Sequence, residues 1–150
     1  MDATVSKHDS SRMAIILMWL QGGYFSVFGI WPLIDIQSFK FVTGEKTDHL
    51  VTGRESDHWL VMTVGLLVTT VGITLIAGAW RRRPSLELGV LALGSTISLA
   101  AIDFIYVARK VILPIYLVDG IIECLFLAMW LGVFLMWRGH LFSATSKNPQ

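Results

Sequence analysis

The chain has 150 residues, of which 54% are hydrophobic and only 15% charged, against about 25% charged in an average soluble domain. Twelve basic residues nearly cancel eleven acidic ones, leaving a net charge of +1, and mean hydropathy is +0.63. This balance excludes a disordered chain, a nucleic-acid binder and an ordinary soluble domain, and a single cysteine, Cys124, excludes an intrachain disulfide.

The first apolar run, Met13 to Ile34, is too long for the hydrophobic part of a signal peptide and lacks a small-residue cleavage site. It is read as a membrane span, with Gln21 and Tyr24 as interior groups. Three more runs follow: Trp59 to Trp80, Leu86 to Ala108 and Ile112 to Trp137. Each holds about 20 or more residues, enough to cross a hydrocarbon core of roughly 30 Å as a helix. Backbone groups in lipid must be satisfied within the segment, so helices are expected throughout. The expected fold is all-α, a single membrane-embedded antiparallel four-helix bundle over residues 1–150. The short second and third connections make spans two, three and four sequential neighbours. Trp31 and Trp59 mark one interface, and Trp80 and Trp137 the other. Trp19 and Trp130 lie deeper and are read as packing residues. The glycines of spans one and two (Gly22, Gly23, Gly29, Gly65, Gly72 and Gly78) are read as packing sites, with pairing of protomers a further use for such faces. The tail from Ser143 to Gln150 is expected to be disordered.

Lys7, Arg12, Arg81, Arg82, Arg83, Arg138 and Lys147 fall on one side of this topology, and Lys40, Lys46, Arg54, Arg109 and Lys110 on the other. The compact Arg81–Arg83 cluster places both termini inside a bacterial inner membrane.

The long connection from Asp35 to His58 is polar and external, and loops of this length are usually functional or mobile. It contains a tandem duplication: Val42 to Leu50 is followed by Val51 to Trp59 in the pattern V-T-G-x-x-[S/T]-D-H-[L/W]. Ser56 or Asp57 is expected to cap the second span. Two Asp-His pairs raise a metal reading. The plainer alternative has Asp57 as a cap and His58 at the interface, and no metal is assigned.

Asp103, Asp119 and Glu123 are the informative residues. A carboxylate at the centre of a span costs at least about 2.5–3.5 kcal/mol, so it needs a partner or a function. Asp119 and Glu123 share a helix face at i, i+4, one turn beyond Tyr116. On span three, Gly89, Ala92, Thr96, Ala100 and Asp103 form one small or polar stripe, extended outward by Tyr106 and Lys110. Thr63, Thr70 and Thr74 share a face of span two. Turned inward, these groups make a carboxylate-lined polar pocket in the outer half, with Asp57, His58 and Trp59 at its rim. Three close carboxyl groups in a low dielectric cannot all ionise cheaply, so at least one proton is retained or shared. Arg109 and Lys110 are within reach to offset one charge.

The expected occupant is a proton, a cation or a small cationic or amphipathic ligand, held by Asp103, Asp119 and Glu123 with Tyr106, Tyr116 and Thr96 as donors. Two alternatives use the same groups differently: a membrane enzyme applying the acids to a lipid-soluble substrate, and a non-catalytic subunit of a larger membrane complex. A structural network locking helix register is the plainest reading of the acids. None of His8, His49, His58 and His140 lies within a span, so an intramembrane bis-histidine haem is not expected. Cys124 is read as a buried small hydrophobe. No Walker loop, dinucleotide fingerprint or serine elbow is present, and no cofactor is assigned.

Val51-Thr52-Gly53 through Asp57-His58-Trp59-Leu60-Val61, with Tyr116-Leu117-Val118-Asp119 and Glu123, resembles a group of small bacterial four-helix membrane proteins of uncharacterised activity. Those proteins share T-G-x-x-[S/T]-D-x-W-L-V before span two and Y-L-x-D-x-x-x-E in span four. The resemblance covers about Trp31 to Glu123 and implies a fold but no activity; the first copy of the duplication departs from it. A further likeness, to sterol-isomerase-like four-helix proteins, is one of architecture alone.

Overall fold

A computed structural model describes residues 3–44 and 58–145, with side chains described within 10–44 and 59–136. It is all-α. The helices are α1 (Ala3–Ile34), α2 (Ile36–Thr43), α3 (His58–Trp80), α4 (Leu86–Ala108) and α5 (Tyr116–Thr145). Four of them contain stretches long and apolar enough to span a membrane: Ser10–Ile34, Trp59–Trp80, Leu86–Ala108 and Tyr116–Met136. The chain is therefore a multi-pass integral membrane protein built as a helical bundle.

The second and third spans match their expected limits. The fourth begins at Tyr116 rather than Ile112. Pro114 has no N–H to continue a helix, and the amides of Val111 and Ile112 turn back onto the Tyr106 carbonyl. At its far end α5 runs through Ser143 to Thr145, into the segment expected to be a disordered tail.

The helices do not pack as a simple sequential row. The α1–α3 pair has the most extensive contact, α4 pairs with α5, and α1 joins the two pairs through α5; α3 and α4 touch much less. Glycine explains the α1–α3 pair. A Cβ on Gly22 would lie 2.8 Å from the Gly72 carbonyl oxygen, and one on Gly29 would lie 2.8 Å from that of Gly65. Only a hydrogen fits at these positions, so the backbones meet directly. The pairs Gly22–Gly29 and Gly65–Gly72 are each seven residues apart, two helical turns, which keeps both on one seam.

That seam overturns the expected orientation of α3. Gly65, Thr69, Gly72, Leu75 and Ala79 are buried, and Thr63, Thr70 and Thr74 face outward. The exposed threonines donate to the carbonyls of Trp59, Leu66 and Thr70, one turn back, at 2.7–2.8 Å. With its hydroxyl satisfied on its own helix, threonine can face lipid. Gly23 also departs from expectation, since nothing lies within 4 Å of where its Cβ would stand. Trp19 is 42% exposed and tilts against Trp80 at 6.3 Å instead of filling the core. Cys124 is exposed rather than buried, and lies off the buried face of α5 that carries Glu123.

Two spans end alike. The N–H of Arg82 bonds the Ala79 carbonyl and that of Arg83 the Gly78 carbonyl; Lys110 bonds Val107 and Val111 bonds Tyr106. Both are Schellman turns. The residue at the left-handed position, normally glycine, is Arg82 (φ +49°) in one and Lys110 (φ +58°) in the other. An L-residue costs about 1–2 kcal/mol there, although a basic side chain suits the negative helix end.

Within the long first connection, Asp35 caps α2 by accepting from the amides of Gln37 and Ser38. Trp31 donates to the Ser38 hydroxyl at 2.8 Å and meets Phe39 edge-on. At its other end, Gly44 adopts φ +86° and abuts Leu113 in the α4–α5 turn. This short helix thus reaches from the end of α1 to the α4–α5 turn. Most of the duplication, including Asp57 and the expected cap, lies outside the described residues.

Candidate functional site

The bundle is layered by depth. Its principal apolar cluster, built from Ala14, Leu17, Met18, Leu75, Ala79, Ala92, Trp130 and Val133, fills the half nearer the Arg81–Arg83 turn. At mid-depth a polar layer begins. Gln21 is fully buried and ties three helices together. Its amide nitrogen donates to the Ala92 carbonyl at 3.0 Å and the Thr96 hydroxyl at 2.9 Å, and its oxygen accepts from the Trp130 indole at 2.8 Å. The indole only donates, so it fixes which end of the amide faces α5.

The acids lie just beyond this layer. Asp103, Thr96, Ala100 and Ala92 are the buried residues of α4, so the middle of the expected stripe faces inward, while Gly89 has nothing within 4 Å of where its Cβ would stand and Tyr106 and Lys110 are exposed. Glu123 is fully buried and Asp103 6% exposed; Asp119 and Tyr116 are half-buried. Tyr24 of α1 donates a short hydrogen bond to Asp119 and lies within electrostatic range of all three carboxyls. Glu123 in turn feels both aspartates. Gly120 packs against the same stretch of α4: a Cβ there would stand 3.3 Å from the Phe104 ring and 3.4 Å from the Asp103 Cβ.

Thr96 links the two layers. Having accepted from Gln21, its hydroxyl keeps its proton for Glu123, with which it interacts. Neither Glu123 oxygen has a donor in full hydrogen-bond geometry. Among the described residues no basic side chain acts on Glu123 or Tyr24. Arg109 and Lys110, expected to offset one charge, are exposed. The acids also do not converge as ligands on one ion: among the described residues no three His, Cys, Asp or Glu side chains are placed to hold a metal.

The remaining expected site residues are dispersed. Tyr106 is 41% and Trp59 65% exposed. His58 opens α3, with its side chain outside the described residues. Tyr24, Gln21 and Trp130 also belong to the network: the first two were expected to turn inward, without an assigned role, and Trp130 was expected only to pack. Tyr24 and Gln21 were legible as polar groups inside an apolar span. Trp130 carried no such signal, because its apolar ring reads equally as packing.

Searches for related proteins do not extend this picture: no protein-family model, no curated protein and no solved structure matches the chain.

Proposed function

We propose that this membrane protein holds an exchangeable proton in the outer half of its bundle. Asp103, Asp119 and Glu123 form the site, with Tyr24, Tyr116 and Thr96 as donors, and a small cationic or amphipathic ligand is the class whose binding would displace that proton. The observation that carries this reading is Glu123: a carboxyl removed from solvent, beside two other acids, with no basic side chain acting on it. A bare carboxylate there is costly, and a proton removes the charge without needing space. Poor convergence of the acids on one point favours a proton over a multivalent ion.

Infrared spectroscopy of the full chain in lipid nanodiscs tests this. A carbonyl band of a protonated carboxylic acid is expected near neutral pH, lost in Glu123→Gln and retained in Asp103→Asn. Absence of the band, or its survival in Glu123→Gln, overturns the proposal.

We further place the protein in a bacterial inner membrane with both termini inside, on the strength of Arg81–Arg83. Reporter fusions at the two termini should both report a cytoplasmic location; an external C-terminus reverses the assignment and puts the acids in the inner half.

A further inference from the structure

At the end of the bundle away from the acids, α1 and α3 enclose an open groove of about 750 Å³, lined by Ser11, Arg12, Ile16, Trp19, Trp80 and Arg82 among others. The apolar run of α1 begins at Met13, directly after Arg12, and that of α3 ends at Trp80, so the groove lies where hydrocarbon gives way to headgroups. The antiparallel register that sets Gly22 against Gly72 and Gly29 against Gly65 sets Arg12 level with Arg82. Two permanent like charges therefore share one groove, and no carboxylate among the described side chains pairs with either. Arg82 also holds the left-handed position of its Schellman turn, where the backbone favours glycine and only the negative helix end favours a basic side chain.

The groove is not a plain basic patch. Ile16, Trp19 and Trp80 line it and remain 57%, 42% and 76% exposed, giving an apolar wall below the guanidinium groups. The two indoles tilt against each other at 6.3 Å, and such rings sit at headgroup level. A guanidinium fork matches phosphate oxygens. The wall excludes a freely soluble anion as the best fit, and two guanidinium groups with no carboxylate beside them among the described side chains favour an anionic over a zwitterionic headgroup.

We propose that this groove is a binding site for an anionic diacyl phospholipid, its phosphate held by Arg12 and Arg82 and an acyl chain lying along Ile16 and Trp19. Basic pockets between spans recognise such headgroups, each basic residue contributing about a five-fold change in affinity.

Native mass spectrometry of the detergent-solubilised full chain reads this directly. Dioleoylphosphatidylglycerol should be retained in preference to dioleoylphosphatidylcholine at equal concentration. Arg12→Gln with Arg82→Gln should weaken its retention about twenty- to thirty-fold. Arg81→Gln with Arg83→Gln should leave it within about three-fold, because those side chains are not among the groove's lining. Arg82→Gly relaxes a strained backbone, so it should fold at least as well as the parent and still lose retention, which separates binding from folding. Inorganic phosphate should not displace the lipid. Equal retention of the two lipids, equal effects of the two double variants, or displacement by phosphate overturns the proposal. The acid site plays no part in this test, and its failure would leave the groove intact.

Discussion

Gly22→Ala is expected to destabilise the bundle by about 2–3 kcal/mol, whereas Gly23→Ala, one residue along, should be neutral or stabilising by up to about 1 kcal/mol. The added atom is the same methyl group in each case. At Gly22 it would meet the Gly72 carbonyl oxygen at 2.8 Å and the Ile76 amide nitrogen at 3.1 Å. Both are backbone atoms that cannot turn aside, so α1 and α3 must separate. At Gly23 nothing lies within 4 Å, and alanine only improves helix propensity. Gly29→Ala should be at least as severe as Gly22→Ala, because its Cβ would stand 2.7 Å from the Thr69 amide nitrogen and 2.8 Å from the Gly65 carbonyl. Larger side chains at either position should abolish folding. Unfolding the full chain in mixed micelles by titration with dodecyl sulfate measures all three alanine variants. Equal effects of Gly22→Ala and Gly23→Ala would show that the seam is not a close backbone contact.

The same seam explains what the sequence reveals and what it hides. Span lengths were legible because crossing hydrocarbon demands a fixed run of apolar residues. The inward stripe of α4 was legible because Ala92, Thr96, Ala100 and Asp103 stand out as small or polar among Leu, Ile and Val. The inward face of α3 was not. Lipid and protein core are equally apolar, so hydrophobic periodicity does not separate them. Thr63, Thr70 and Thr74 looked like an interior face, but each bonds its own helix and tolerates lipid. The better guide was the seven-residue glycine spacing shared by α1 and α3. The helix Ile36–Thr43 was hidden for another reason: eight residues within a polar connection carry too little pattern to register as an element, and its position depends on Trp31 and Leu113, contacts that only the folded chain supplies. The acids lay at overlapping depth as expected, but depth along a helix fixes neither rotation nor the room left between neighbours.

Gln21→Leu should cost about 2–4 kcal/mol, a large effect for one polar residue in a membrane bundle. Interhelical hydrogen bonds in lipid average well under 1 kcal/mol, because groups in the unfolded chain find other partners. Gln21 exceeds that average because one side chain makes three such bonds to two other helices. Leucine leaves the Trp130 indole N–H buried with nothing to accept it, and each orphaned buried group adds about 1–3 kcal/mol. Trp130→Phe should be milder, about 1–2 kcal/mol, since it strands only one oxygen and keeps most of the aromatic packing. Combined, the two substitutions should cost less than their sum by about 1 kcal/mol, the mark of a shared bond in a double-mutant cycle. Additive effects would place the importance of Gln21 in its packing instead. A spectroscopic consequence distinguishes this hub from mere support. Thr96 accepts from Gln21 and interacts with Glu123, so the Gln21 amide polarises the hydroxyl that acts on Glu123. Removing the Gln21 amide should therefore shift the protonated-carboxyl band assigned to Glu123, although Gln21 does not touch that residue. A band that stays fixed while stability falls would separate the structural hub from the proton site and leave Glu123 dependent only on its neighbouring acids.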